Sequence, residues 1–200
     1  VLIRQLALEL DAGQVSKNEA SRLLRQISLT SERALNLTTN LTKVARLEDG
    51  LFELEPINPV QACEDVAIEL RPLYRETNRT ISVRRLYHAP LAVANRDLLR
   101  QVLVNFADNA LHYSVASQPV EMTVEVSRRG NRVRLGVRDY GPAIEADVKL
   151  RHTRPRSSGL GLLIARRFAE TMNGSVGVIR HQDGATFYID IGVSSQLSLL

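Results

Sequence analysis

Apolar residues recur at helical spacing through the first 50 residues of the chain. The segment "VLIRQLALELDAG" predicts a helix that stops at Gly13, and a second helix is predicted from about Ser16 to Leu47. Ser16 is the expected N-cap of this second helix, with Glu19 as its capping-box partner. The second helix carries a seam of alternating four- and three-residue spacing: Leu23, Ile27, Thr30, Ala34, Leu37, Leu41 and Val44. Pairing two such helical hairpins would bury the seam in a four-helix bundle, so we predict a homodimer.

Beyond residue 50 the pattern changes to short strands and further helices. Helices are predicted over about 60–76, 98–112 and 159–172, and Asn95 is the expected cap of the middle one. The segments "LEDGLFELEPINP", "RTISVRRLY" and "LAVAN" each contain a predicted strand. Two longer segments, "VEMTVEVSRRGNRVRLGVRD" and "SVGVIRHQDGATFYIDIGV", predict hairpins that turn at Gly130–Asn131 and Asp183–Gly184. The fold class is therefore α+β: a helical hairpin over 1–50, then a two-layer domain over 51–200.

Composition limits the function classes. The net charge is +4, but only 4% of the residues are aromatic and no basic stripe interleaves with them, so no nucleic-acid partner is expected. The single cysteine, Cys63, excludes an intramolecular disulfide and is predicted to be a small core residue. The sequence contains no secretory signal and no apolar run long enough to cross a bilayer.

The stretch "NFADNALHYS" places polar side chains in an otherwise apolar helix. Asn105 and Asn109 are four residues apart and share a helical face, with Asp108 between them. Two amide oxygens on one face can coordinate a hard cation or hold water and phosphate oxygens. His112 and Tyr113 follow one turn later, where they can reach a phosphate and stack on a base. Taken alone, the stretch is better explained by a helix end that becomes polar as it meets solvent.

The stretch "VRDYGPAI" places a carboxylate at the end of a predicted strand. Asp139 ends the strand, and Gly141 with Pro142 turns the chain. A buried aspartate in this position can accept a hydrogen bond from an exocyclic amine such as that of adenine. A plain turn is the alternative interpretation of this stretch.

The stretch "SSGLGLLIARRFAE" opens a helix with two glycines, Gly159 and Gly161. Glycine lets a backbone approach a phosphate closely, and a helix N-terminus offers free N–H groups and a positive dipole. The preceding segment carries Arg151, Arg154 and Arg156, which strengthens the prediction of an anion site.

The order and spacing of these three motifs resemble the N, G1 and G2 boxes of sensor histidine kinases. Those enzymes have the Bergerat ATP-binding fold, which DNA gyrase, heat-shock chaperone ATPases and mismatch-repair ATPases share. The hairpin before the motifs resembles the dimerisation and histidine-phosphotransfer domain of the same kinases. The resemblance extends over about residues 1–193. It implies a Bergerat-type two-layer sandwich, ATP and Mg²⁺ as cofactors, and a response regulator as partner.

The resemblance also implies roles for individual residues. Asn109 would be the Mg²⁺ ligand, and Asn105 would support the metal and phosphate site, which makes these two the expected catalytic residues. Asp139 would accept the adenine amine, Gly141 would lie beneath the base, and Thr186 would lie near the adenine. The remaining implied nucleotide contacts are His112, Tyr113, Ala143, Ile144, Arg156, Gly159, Leu160, Gly161 and Leu162.

The residue type at the position of Asn105 differs between the branches of the family that this chain resembles. Hydrolysing members have a glutamate at this position, which is the general base that activates water. An amide cannot take that proton, so the resemblance implies transfer of the γ-phosphoryl group to a histidine and then to an aspartate of the regulator. A third interpretation, an ATPase or a serine kinase of the same fold, is disfavoured for the same reason.

The chain departs from the family pattern at the phosphoacceptor. No histidine lies in the hairpin, since the four histidines are His88, His112, His152 and His181. We expect the acceptor a few residues upstream of Val1, in a longer parent protein that is anchored in the inner membrane and has this part in the cytoplasm. A natural protein without an acceptor is the alternative; it would be a degenerate, kinase-like dimer that acts as a signalling or docking module.

Two further departures concern the nucleotide pocket. Ala143 stands where the family commonly has a second glycine, so its Cβ would crowd the nucleotide. The segment Glu145–Ser158, the expected lid, is short and contains no aromatic residue. Both departures favour weaker nucleotide use, and arginines of this segment would still clamp phosphates.

Overall fold

The computed structural model describes residues 2–11, 16–46, 52–84, 89–114, 118–127, 131–141 and 160–195. The chain divides into two compact units, Val1–Glu48 and Asp49–Leu200. The first unit contains helices α1 (Leu2–Asp11) and α2 (Lys17–Arg46). The second unit contains β1 (Glu55–Ile57), α3 (Pro59–Glu76), β2 (Ile81–Arg84), β3 (Ala92–Ala94), α4 (Arg96–Tyr113), β4 (Val120–Val126), β5 (Arg132–Asp139), α5 (Leu160–Thr171), β6 (Ser175–His181) and β7 (Gly184–Gly192). Among the described helices, none has the length and apolar character that crossing a bilayer requires.

Helices α1 and α2 pack against each other in the first unit. The predicted capping box at the start of α2 is confirmed. The Ser16 hydroxyl accepts a hydrogen bond from the Glu19 backbone N–H at 3.3 Å, and the Glu19 carboxylate accepts one from the Ser16 N–H at 2.9 Å. These bonds satisfy amide groups that the first helical turn leaves without a partner. The Ser16 backbone N–H, and then the Ser16 hydroxyl, donate to the Glu19 carboxylate and lower its pKa.

The seam of α2 is only partly covered within one chain. Leu23, Ile27 and Thr30 are half-buried. The remaining predicted seam positions, Ala34, Leu37, Leu41 and Val44, lie outside the side chains that the structure describes. Among the described side chains of these two helices, three leucines are more than half exposed: Leu8, Leu24 and Leu35. The first unit therefore presents apolar surface, and the homodimer stays a prediction.

A five-stranded sheet forms one layer of the second unit, and helices α3, α4 and α5 pack against it. The strand order is β2-β4-β5-β7-β6. Both predicted hairpins are present, since β4 pairs with β5 and β6 pairs with β7 in antiparallel register. Strand β2 pairs with β4 in parallel at one edge. This arrangement confirms the predicted α+β class.

The β6–β7 hairpin turns one residue earlier than predicted. His181 pairs with Gly184, so Gln182 and Asp183 form a two-residue turn and Gly184 begins β7. Gly184 has φ +134°, a conformation that side chains with a Cβ rarely adopt. The glycine is therefore required at the first residue of the strand rather than inside the turn.

A separate two-stranded sheet leads into α4. Strands β1 and β3 pair antiparallel, and β3 ends directly before Asn95. The predicted cap is confirmed, because the Asn95 side-chain oxygen accepts from the Leu98 N–H at 3.1 Å. The same side chain donates from Nδ2 to the Glu53 carbonyl oxygen at 3.1 Å. One amide thus starts α4 and ties it to the segment that precedes β1.

A thiol and a phenol are buried in the core of the second unit, in addition to the Asp139 carboxylate. Cys63 is fully buried, which confirms the prediction, and burial raises its pKa to about 12. Tyr74 is also fully buried, and its hydroxyl donates to the Ala107 carbonyl oxygen at 2.7 Å. Both groups are neutral while they are buried, so their ionisation in the unfolded chain opposes folding.

We expect the second unit to lose stability as the pH rises above 9. The pKa of Cys63 is raised from 9.0 to about 12, so in this window the unfolded chain loses the thiol proton and the folded chain keeps it. The free energy of unfolding then falls by up to about 1.4 kcal/mol per pH unit. Urea denaturation from about pH 8 to about pH 9.5 measures the slope while most tyrosines of the unfolded chain are still protonated. Cys63→Ala should flatten it, and an unchanged slope in that variant would contradict the assignment.

Candidate functional site

Helix α4 buries one face and carries a polar stripe beside it. The buried face consists of Leu98, Leu99, Val102, Leu103, Phe106, Ala107, Ala110 and Leu111. The stripe consists of Asn105, Asp108 and Asn109, which are half-buried. Positions three and four residues apart are neighbours on a helix surface. The structure therefore brings the two predicted amides together at the edge of the core.

The start of α5 lies beside Asn105. The Asn105 Nδ2 donates a long hydrogen bond to the Gly161 carbonyl oxygen at 3.5 Å. A Cβ on Gly161 would lie 3.8 Å from the Asn105 side-chain oxygen. Leu162 is buried and anchors the first turn of α5 in the core. Since the first N–H groups of a helix have no partner within it, the positive end of the α5 dipole lies next to the amide stripe.

Asp139 is a buried carboxylate at the end of a strand, as predicted. It is the last residue of β5, and its exposed fraction is 0%. One of its carboxylate oxygens accepts from the Gly141 N–H at 3.2 Å. Alternation along the strand puts Asp139 on the same buried face as Val133, Leu135 and Val137. The carboxylate therefore lies on the face of the sheet that the helices cover.

The C-terminal end of α4 holds the backbone that follows Asp139. Ser114 caps α4 and is 3% exposed. Its hydroxyl oxygen accepts from the Tyr140 N–H at 3.2 Å. This contact keeps the end of β5 in place against the helix that carries the amide stripe. This contact was not predicted from the sequence, in which the signal for it is a serine directly after the last helical turn.

Tyr74 lies near two carboxylates, that of Asp108 in the stripe and that of Asp139 at the end of β5. Burial raises its pKa above the ordinary range, and the nearby carboxylates of Asp108 and Asp139 raise it further, while Arg79 lowers it. One phenol thus lies within electrostatic range of both carboxylates. Its hydroxyl is bonded to α4 at Ala107, which places this pair of carboxylates around the same part of the helix.

Thr186 lies on the other face of the sheet. Arg138 is opposite Thr186 and Asp139 is opposite Ala185 in the β5–β7 register. Directly opposed residues share a face and successive residues alternate, so the Thr186 side chain points away from that of Asp139. Its hydroxyl lies 2.9 Å from a ring nitrogen of His181. The structure therefore does not bring Thr186 to the predicted site, because one step of register exchanges the two faces.

Other predicted contacts fall outside the described part of the chain. Helix α4 includes the backbone of His112 and Tyr113, and α5 begins at Leu160, but their side chains are not described. Residues Ala143, Ile144, Arg156 and Gly159 also lie outside the described residues, as does the segment Glu145–Ser158.

The assembled groups suit a phosphorylated ligand with an amine. Amide oxygens of Asn105 and Asn109 are hard donors of the kind that Mg²⁺ accepts. The free N–H groups at the start of α5 are anion donors, and the Asp139 carboxylate accepts from an exocyclic amine. The donor set therefore fits a nucleotide with a divalent cation.

A known protein family matches the part of the chain that carries these groups. Residues 94–194 match the family described as histidine kinase-, DNA gyrase B-, and HSP90-like ATPase. The sensor protein kinase PmrB of Pseudomonas aeruginosa is 31% identical over 184 residues, which cover 86% of this chain and 38% of that protein. The adaptive-response sensory kinase SasA of Prochlorococcus marinus is 29% identical over 197 residues, which cover 90% and 51%. The chain spans about half the length of the SasA relatives it matches.

Solved structures share the fold. Full-length ShkA in complex with AMPPNP has a TM-score of 0.71 at 24% identity, with 98% of this chain and 47% of that chain covered. The histidine kinase AdeS of Acinetobacter baumannii has a TM-score of 0.70 at 19% identity, with 97% and 94% covered.

Proposed function

The chain belongs to the family of histidine kinase-, DNA gyrase B- and HSP90-like ATPases and carries the catalytic domain of a sensor histidine kinase, as the sequence motifs predicted; from this premise we propose that it binds ATP with Mg²⁺ and donates the γ-phosphoryl group to a histidine. The observation that carries the proposal is the convergence of three groups. These are the Asn105–Asn109 stripe, the buried Asp139 and the start of α5 at Gly161.

Each group has a proposed part in binding. Asp139 accepts the adenine amine, with Gly141 beneath the base. Asn109 ligates Mg²⁺, Asn105 supports it, and the first N–H groups of α5 receive phosphate oxygens. Bound Mg²⁺ supplies neutralisation of the phosphate charge. Thr186 has no part in this set, because it lies on the other face of the sheet.

The proposed reaction is phosphoryl transfer rather than hydrolysis. A histidine ring nitrogen forms a bond to the γ-phosphorus while the bond to the β–γ bridging oxygen breaks, and ADP leaves. Positioning and charge neutralisation supply the catalysis. Asn105 carries an amide, which cannot accept a proton from water, so the chain has no general base at this position. The phosphoryl group then passes to an aspartate of a response regulator.

We expect Asn109→Ala to remove the Mg²⁺ dependence of ATP binding. Loss of one hard ligand should weaken Mg²⁺-ATP binding about tenfold and leave binding in EDTA unchanged. Isothermal titration with ATP in the presence of Mg²⁺ or EDTA measures both affinities. Asn131→Ala is the matched control, because this exposed asparagine lies at the opposite end of β5 from Asp139.

Phosphoryl transfer to a histidine is tested separately from nucleotide binding. γ-Labelled ATP is mixed with the chain and a histidine-bearing helical hairpin, and the label on the hairpin is tested for the acid lability of a phosphoramidate. Steady phosphate release without labelling would indicate an ATPase and contradict the role of Asn105. Absence of nucleotide binding, with dimerisation and regulator binding intact, would instead favour the non-catalytic docking module.

The first unit is proposed to form the homodimer. Leu8, Leu24 and Leu35 are exposed within one chain, and a second copy would cover them. Sedimentation velocity measures the mass in solution, and a monomer at micromolar concentration would contradict the proposal.

A further inference from the structure

Arg138 lies directly before Asp139 and on the opposite face of the sheet. Only 12% of its side chain is exposed. The guanidinium donates from Nη1 to the Asp139 carbonyl oxygen and from Nη2 to the Asp183 carboxylate, the second at 2.5 Å. It also lies over the Tyr140 ring, 4.4 Å from the ring centroid. Three neighbours thus hold one guanidinium at the end of β5.

Arg138 and Ser114 hold the two ends of one peptide group. Arg138 binds the carbonyl oxygen of Asp139, and the Ser114 hydroxyl binds the N–H of Tyr140, which belong to the same peptide plane. Because a peptide group is planar, fixing its oxygen and its nitrogen fixes its orientation. The same plane contains the Asp139 Cα, so these two contacts hold the atom from which the carboxylate side chain leaves the backbone.

The β6–β7 turn completes the enclosure of the same carbonyl group. A Cβ on Gly184 would run into the Asp139 carbonyl oxygen and would lie 2.8 Å from Arg138 Nη1. Asp183 precedes this glycine and anchors the guanidinium from the turn. The turn therefore positions Arg138, and Arg138 positions the backbone of Asp139.

We propose that Arg138 is a positioning residue for base recognition: it orients the Asp139 carboxylate toward the exocyclic amine of adenine without touching the nucleotide. This inference rests on the proposed function, since it assumes that Asp139 reads the base. The contact between Arg138 and the Asp139 carbonyl oxygen carries it, together with the opposite faces of the two side chains.

A second arginine on β5 supplies a matched control. Arg134 binds Asp190 of β7 through two hydrogen bonds of 2.7 and 2.8 Å and lies 3.7 Å from the Tyr188 ring centroid. It has the same kinds of partner as Arg138, namely a carboxylate and an aromatic ring. It lies four residues earlier on the strand, about 13 Å away along β5. Loss of Arg134 therefore tests the contribution of such a cluster to the sheet alone.

The experiment compares ATP with purine riboside triphosphate, which lacks the amine that Asp139 is proposed to bind. Arg138→Met should weaken ATP binding about tenfold and change binding of the analogue by less than about twofold. Arg134→Met should leave both dissociation constants within about twofold of wild type. Isothermal titration measures both, and far-ultraviolet circular dichroism verifies that each variant is folded. If Arg138 had a purely structural role, the substitution would weaken the binding of both nucleotides equally.

The contrary outcomes are distinct. Unchanged selectivity in Arg138→Met would overturn the positioning role, whether both affinities fall together or neither changes. The same loss of ATP affinity in Arg134→Met would also overturn it. Failure of the wild-type chain to bind ATP would instead overturn the proposed function. If Arg138→Met does not fold, Asp183→Asn replaces it, because Asp183 is 65% exposed. That variant should reduce the selectivity for ATP about threefold, and unchanged selectivity there would also overturn the inference.

Discussion

Replacing Asp139 with asparagine is expected to weaken ATP binding by about 100-fold. Asp139 is fully buried, and the proposed bond from the adenine amine to its carboxylate is charge-assisted. Asparagine has nearly the same shape, so the core around it is kept. Its neutral amide removes the charge, and its NH₂ group presents a donor where the amine needs an acceptor. Isothermal titration of the variant with Mg²⁺-ATP measures the loss.

Asp190→Asn is the control for this substitution. Asp190 is a half-buried carboxylate of β7, and its partner Arg134 lies away from the end of β5 that carries Asp139. We expect the dissociation constant of the Asp190→Asn variant for ATP to stay within about twofold of wild type. An equal loss in both variants would attribute the effect to the stability of the sheet. Unchanged affinity in Asp139→Asn would show that this carboxylate does not read the base.

Replacing Gly184 with alanine is expected to lower the free energy of unfolding by about 3 kcal/mol. The added Cβ meets the Asp139 carbonyl oxygen, and the φ of +134° is strained for any residue with a side chain. Both costs arise at one atom, and neither is relieved by rotating a side chain. The backbone of β7 would have to move away from β5. Equilibrium urea denaturation of the variant and the wild type measures the difference.

Gly192→Ala separates this local clash from a general effect of alanine in the strand. Gly192 ends the same strand β7, and a Cβ there meets no heavy atom within 4 Å. The free energy of unfolding of the Gly192→Ala variant should stay within about 0.5 kcal/mol of wild type. If both variants lose the same stability, the contact between Gly184 and Asp139 is not the cause.

Local sequence patterns predicted the elements well. The helix expected over 60–76 spans Pro59–Glu76, and the capping roles of Ser16 and Asn95 are both present. Caps and helical periodicity involve residues three or four positions apart, so the chain contains the whole interaction in one short segment. The same reason explains why Asn105 and Asn109 were placed correctly on one face of α4.

Pairing between distant segments was predicted less well. The sequence indicated a strand near Thr186 but not its register against β5, and a shift by one residue moves a side chain to the other face. The bond between Ser114 and Tyr140 joins residues 26 positions apart. No local pattern contains either contact, because each depends on how β5 meets α4 and β7.

By itself, the sequence determined the fold class, the family and the spacing of the three motifs, since periodicity, caps and motif order depend on near neighbours along the chain. The tertiary structure alone decided which residues surround Asp139. It placed Thr186 on the far face, closed Gly184 against the Asp139 carbonyl oxygen, and put Arg138 and Ser114 at the two ends of one peptide group. These contacts follow from strand register and helix packing, which are set by the burial of the whole core rather than by any one segment.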